Sequence, residues 1–154
     1  AYNFVNHTLN CIDANYKDFL DAIYNDAELE TYPELDYNDP TELMFIIISG
    51  NIKFFEKILS AHEEKLLCNS ITEEMASIFE MEYHEMEAKL DKYGSFISRV
   101  NHPSKNILYG MSKAVFFKFK LEVFAFLPTE IKTTSQSKSF FLPSLLVVET
   151  VAVD

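Results

Sequence analysis

The chain contains little of what several common folds and sites require. Its 154 residues include no tryptophan, three glycines, two cysteines and a single arginine. Three glycines are too few for a phosphate-binding glycine-rich loop, or for an all-β fold with many tight turns. The hydrophobic fraction of 48% excludes wholesale disorder, and the length suits one domain.

Positive charge is also scarce. The chain has 13 basic and 24 acidic residues, which give a net charge of −11 at pH 7. This balance argues against nucleic-acid binding, because contacts to a phosphate backbone need clustered lysine and arginine. Residues 1–44 carry ten acids and one base, whereas residues 103–154 have a net charge of +2. The sequence therefore predicts a dipolar molecule with an acidic front half.

Long apolar runs are missing as well. The most apolar stretches, residues 114–127 and 140–153, contain charged residues and are shorter than the about 20 residues of a transmembrane helix. We therefore expect no membrane interaction. Cys11 and Cys68 lie far apart and match no metal or redox motif, and two thiols suit a reducing compartment. We expect an intracellular, cytoplasmic protein.

Apolar residues at helical spacing predict a mainly α protein. In the first half, Asp13 is the expected N-cap of the first helix, and Gly50 is expected to break the chain between two later helices. The segments predicted there are a helix at 13–27, an acidic loop at 25–40, a short helix at 43–49 and a further helix at 52–67.

The second half is predicted to begin with a helix at 72–93, capped by Ser70 or Thr72 and ended by Gly94. Residues 106–127 fit a helix, although their middle part also alternates between apolar and polar residues like a strand.

The domain organisation follows from these segments. Residues 1–132 are expected to form the helical domain. Residues 133–139 are a polar linker, and residues 140–154 are expected to be an apolar C-terminal tail or strand.

The ionisable residues form no catalytic or metal-binding motif that we recognise. A zinc-protease helix needs two histidines four residues apart, and the segment beginning at His84 has Ala88 in the second position. Di-iron proteins use paired Glu-x-x-His motifs, whereas Glu80 precedes His84 by four residues and no second copy follows. We therefore predict no metal, no cofactor and no enzymatic activity.

The segment Thr41–Leu59 is the most specific feature of the sequence. It reads TELMFIIISGNIKFFEKIL and resembles the helix–turn–helix part of an ankyrin repeat. The matching positions are Thr41 and Leu43 at the start, Gly50-Asn51-Ile52 in the turn, Phe54-Phe55 for the paired valines and Ile58-Leu59 for the paired leucines.

The resemblance implies helical hairpins stacked in a short solenoid that binds proteins through its concave face and loops. Weaker echoes of the segment occur at offsets of 36 and 31 residues. The sequence departs from the ankyrin pattern where Glu42 and Met44 replace its proline and histidine. An irregular helical bundle with one αα-hairpin of this kind therefore stays open as the second architecture.

An acidic segment with tyrosines, between the first two predicted helices, is the expected partner-binding site. Tyrosine beside acidic residues is typical of interfaces, because its ring buries a large area and keeps a polar end. Two other interpretations stay open: the tyrosines pin the loop to the domain, or the acids only solvate it. The expected binding residues are Tyr24, Glu28, Glu30, Tyr32, Glu34, Asp36, Tyr37 and Asp39.

These observations predict a non-catalytic protein-interaction module that binds a basic patch on a partner protein. One alternative is a small acidic antagonist, such as a viral or parasite effector, that imitates the charge of a nucleic acid. Another is a helical-bundle enzyme or ligand-binding protein. Salt-sensitive binding to a basic protein would favour the first two functions, and competition with DNA would distinguish the antagonist.

Overall fold

Five helices and two short strands form in the residues that the computed structural model describes, which are 1–25, 29–31 and 34–123. The strands pair antiparallel. The prediction of a mainly α protein is confirmed, and no helix in these ranges has the length and apolar character needed to cross a membrane. The elements are α1 (Tyr2–Tyr24), β1 (Leu29–Thr31), α2 (Thr41–Ile58), α3 (Ala61–Ile78), α4 (Tyr83–Asn101), α5 (Ile107–Lys118) and β2 (Glu122–Val123).

Helix α2 lies at the centre of the packing. Its residues 43–50 are buried on every side, and the helix contacts all four others. The run of isoleucines at 46–48 favours a strand by local preference, but burial outweighs the fraction of a kcal/mol per residue that helix formation costs isoleucine. The buried hydroxyl of Ser49 donates to the carbonyl oxygen of Leu90 in α4 at 3.2 Å, so this polar group is satisfied.

The predicted turn at Gly50 is wrong, because α2 continues through this residue to Ile58. Gly50 instead allows another helix to approach closely. A Cβ atom at this position would overlap the sulfur of Met111 on α5. The turn was the central element of the ankyrin resemblance, and the described residues give no support for ankyrin-like repeats.

The interruption between α2 and α3 lies at Ser60, which is the N-cap of α3 and forms a capping box. The Ser60 hydroxyl oxygen accepts a hydrogen bond from the backbone N–H of Glu63 at 3.4 Å. A carboxylate oxygen of Glu63 accepts one from the backbone N–H of Ser60 at 3.0 Å. The predicted cap at Ser70 or Thr72 is therefore wrong, and both residues lie inside α3.

The residues two positions after the ends of α3 and α5, Glu80 (φ 51°) and Lys120 (φ 53°), have the left-handed conformation. After α5, the N–H of Leu121 donates to the carbonyl oxygen of Phe116 at 3.0 Å. This carbonyl lies in the last turn of the helix and would otherwise lack a hydrogen-bond donor. The predicted helix end at Gly94 is wrong, because Gly94 lies inside α4.

The outer parts of the predicted helices also differ from the structure. Helix α1 begins at Tyr2 rather than at Asp13, which lies on its exposed face. The helix predicted at 106–127 is confirmed for Ile107–Lys118, and β2 follows it at Glu122–Val123. Residues 124–132 of the predicted domain, and the whole of 133–154, lie outside the described residues.

Replacing Ser60 by alanine is expected to destabilise the protein by about 1 kcal/mol, because the N–H of Glu63 loses its acceptor. The matched control is Ser70→Ala, at an exposed position in the middle of α3, which should change the free energy of unfolding by less than about 0.5 kcal/mol. Urea denaturation followed by circular dichroism measures both variants. Equal losses would contradict the start of α3 at Ser60.

Gly50→Ala is expected to destabilise the protein by about 1–2 kcal/mol, because overpacking against Met111 exceeds the gain in helix propensity. In Gly94→Ala the new Cβ atom would lie 3.0 Å from Cε of the Lys53 side chain, which can move aside. This control should be neutral or stabilising by up to about 1 kcal/mol. Thermal unfolding compares the two, and equal stability would argue against close packing of α2 on α5.

Candidate functional site

Two tyrosines fasten the loop before α2 to the end of α1. The Tyr24 hydroxyl oxygen accepts a hydrogen bond from the backbone N–H of Leu35 at 3.1 Å. The Tyr37 hydroxyl donates to Oδ1 of Asp21 at 3.0 Å. The two tyrosine rings stack with centroids 5.8 Å apart and planes 7° from parallel. Residues 34–40 therefore form what we call the anchored loop.

Two aspartates of the anchored loop shape its backbone. Oδ1 of Asp36 accepts a hydrogen bond from the N–H of Asn38 at 2.8 Å, which makes a tight local turn. Oδ1 of Asp39 accepts one from the N–H of Thr41, the first residue of α2, at 3.0 Å. The hydrogen bonds from Thr41 hold the pKa of Asp39 below its ordinary value, so this carboxylate stays ionised as the solution becomes mildly acidic.

The anchored loop is electrostatically negative. Glu34, Asp36 and Asp39 are exposed, as is Asp21 on α1. Burial, together with the negative charges of Asp39 and Asp36, raises the pKa of Tyr16 to about 12. The field of these carboxylates thus reaches a buried side chain of α1, and a basic group on the solvent side would meet the same field.

Five of the eight predicted binding residues lie together at this site: Tyr24, Glu34, Asp36, Tyr37 and Asp39. Both tyrosines make the pinning contacts that the sequence left open as an alternative to binding. Glu28 and Tyr32 lie outside the described residues, and Glu30 is described only as part of β1. The sequence did not indicate Asp21, because this residue acts by accepting the hydrogen bond from Tyr37, which lies 16 residues further along the chain.

A small cleft lies between α2, α3 and α4. Its volume is about 140 Å³, and its lining includes Lys53, Cys68 and Tyr83. Burial raises the pKa of the Cys68 thiol, and the charges of Glu64 and Glu56 raise it further. The thiol is therefore protonated at neutral pH, whereas nucleophilic cysteines have a lowered pKa. The cleft is also smaller than the about 300–1,000 Å³ of typical small-molecule sites.

Residues of the cleft come from three helices that are separate in the sequence, so no local motif indicated it. Among the described residues, no three histidine, cysteine, aspartate or glutamate side chains are placed to hold a metal ion. The anchored loop therefore remains the stronger candidate site.

Comparison of the chain with models of protein families, with curated proteins and with solved structures found no match. The geometry and charge of the anchored loop are thus the basis for inferring a function.

Replacing Tyr24 by phenylalanine is expected to speed hydrogen exchange at the Leu35 amide about fivefold, because this N–H loses an acceptor worth about 1 kcal/mol. Tyr109→Phe on α5 removes a hydroxyl away from the loop and should leave the rate unchanged. Amide exchange followed by NMR measures both. An unchanged rate at Leu35 in the Tyr24 variant would show that the hydroxyl does not anchor the loop.

Proposed function

We propose that the chain is a non-catalytic protein-interaction module whose anchored loop binds a basic surface of a partner protein. The observation that carries the proposal is the fixed presentation of exposed carboxylates by the two tyrosines. These contacts pin the loop to the domain, and the same restriction gives a binding loop a gain in affinity.

Preorganisation explains that gain. A loop that is ordered before binding loses less conformational entropy when the partner arrives. The stacked rings of Tyr24 and Tyr37 and the turn at Asp36 already restrict the anchored loop. Its carboxylates therefore keep a constant spacing against which cationic side chains of a partner can align.

Long-range electrostatics act in the same direction. The ten acids of residues 1–44, with one base, give this part of the molecule a strong negative field. Such a field raises the rate of encounter with a basic surface and makes binding sensitive to salt. The partner class that fits is a protein with clustered lysine and arginine.

A triple variant tests the site: Glu34→Gln, Asp36→Asn and Asp39→Asn. The amide groups keep an acceptor oxygen for the turns but remove three negative charges. Proteins captured by the wild type from its native source are identified by mass spectrometry, and the Kd of the main partner is measured by titration calorimetry. We expect about tenfold weaker binding by the triple variant, since exposed ion pairs contribute about 0.2–1 kcal/mol each.

The matched control carries Glu73→Gln, Glu82→Gln and Glu85→Gln, which change the net charge equally at exposed positions of α3 and the start of α4. Equal weakening in both variants would mean that net charge alone drives association. Unchanged binding by the loop variant would place the site elsewhere. Displacement of the partner by duplex DNA would indicate an antagonist that imitates nucleic acid, rather than an ordinary interaction module.

A further inference from the structure

Helix α5 has large apolar side chains on the side that faces away from the other helices. Its inner side is buried through Met111, Ala114 and Val115. A surface helix normally carries polar residues opposite such a face, and a helix that is apolar all round is normally covered. We call this side the outer face of α5. It consists of two adjacent rows, and within each row successive residues are four positions apart in the sequence. One row is Leu108, Ser112 and Phe116, and the other is Tyr109, Lys113 and Phe117.

Both ends of this face are exposed, whereas Ser112 and Lys113 in its middle are partly buried. Leu108, Tyr109 and Phe117 have 46%, 48% and 56% of their surface accessible, and Phe116 is half-buried. The rings of Phe116 and Phe117 are in edge contact with centroids 5.7 Å apart. Single exposed apolar residues are common, whereas several large ones on one side of a helix indicate an interaction surface.

The charge around the outer face is positive, unlike that of the rest of the molecule. Residues 105–120 contain four lysines and no acid, and one of these lysines, Lys118, pairs with Glu42 of α2 at 3.3 Å. The Lys113 ammonium lies over the Tyr109 ring, 4.7 Å from its centroid, within the face itself. An apolar segment with a few negative charges would therefore complement this surface.

The chain supplies such a segment. Residues 140–154 contain ten apolar residues, two acids (Glu149 and Asp154) and no base. The described residues end at Val123 in β2, five residues after the end of α5. Sixteen residues then separate Val123 from Phe140. A chain of that length spans up to about 50 Å, whereas α5 is about 18 Å long, so every point of the outer face is within reach.

We infer that residues 140–154 dock on the outer face of α5 within the same chain. The tether makes this association intramolecular, with an effective concentration on the order of millimolar. Burial of Leu108, Tyr109 and Phe117 supplies the attraction, and Lys105, Lys113 and Lys120 orient the two acids of the segment.

Photo-crosslinking in the 154-residue chain tests the contact. A variant with Phe117→p-benzoylphenylalanine is irradiated at low protein concentration, and the crosslinked peptides are identified by mass spectrometry. We expect crosslinks from position 117 to residues 140–154 within a monomer. The matched control is Leu66→p-benzoylphenylalanine on α3, because Leu66 has the same accessible fraction of 56%. Its yield with residues 140–154 should be roughly tenfold lower, as expected for a site outside the tethered contact.

A second variant, Leu145→Asp with Val148→Asp, should reduce the yield at position 117 to the level of the Leu66 control while the far-ultraviolet circular dichroism stays the same. Crosslinked dimers would overturn the inference in favour of a second copy of the chain. Equal yields at positions 117 and 66, or no crosslink to residues 140–154, would overturn it as well.

Discussion

The burial of α2 on every side is the constraint on which the rest of the structure depends. Residues 43–50 form about two turns of helix with no solvent-facing side, and the four other helices surround them. Helix α5 comes close because Gly50 has no side chain opposite Met111. The position of α1 against this centre in turn determines the anchored loop, because Tyr24 and Asp21 both belong to α1.

Opposite charges meet where α2 begins and α5 ends. Lys118 Nζ lies 3.3 Å from a carboxylate oxygen of Glu42 and 4.6 Å from the centroid of the Tyr93 ring. As a partly exposed pair it contributes about 1 kcal/mol or less to stability. Its larger consequence is spatial, because it joins the acidic front of the chain, next to Asp39, to the lysine-rich α5.

Local sequence signals predicted some helix ends correctly and others incorrectly. The start of α2 at Thr41 was predictable, because Asp39 and Pro40 form a recognisable N-terminal signal. The Ser60–Glu63 capping box is also present in the sequence, although the predicted break was at Gly50. Likewise, Val5, Leu9 and Ile12 continue the apolar spacing of α1 before Asp13. This spacing indicates an earlier start of α1 than the predicted N-cap at Asp13.

Apolar spacing and composition by themselves determined that the chain is mainly α and acidic at its front, because helical periodicity and charge are properties of neighbouring residues. They also predicted one candidate binding segment that includes Tyr24, Asp36, Tyr37 and Asp39. Only the tertiary structure decided that Gly50 is a packing contact rather than a turn, and that the two tyrosines anchor the loop. Those roles depend on which helix, distant in the sequence, packs against each residue. The neighbouring residues in the sequence do not determine that packing.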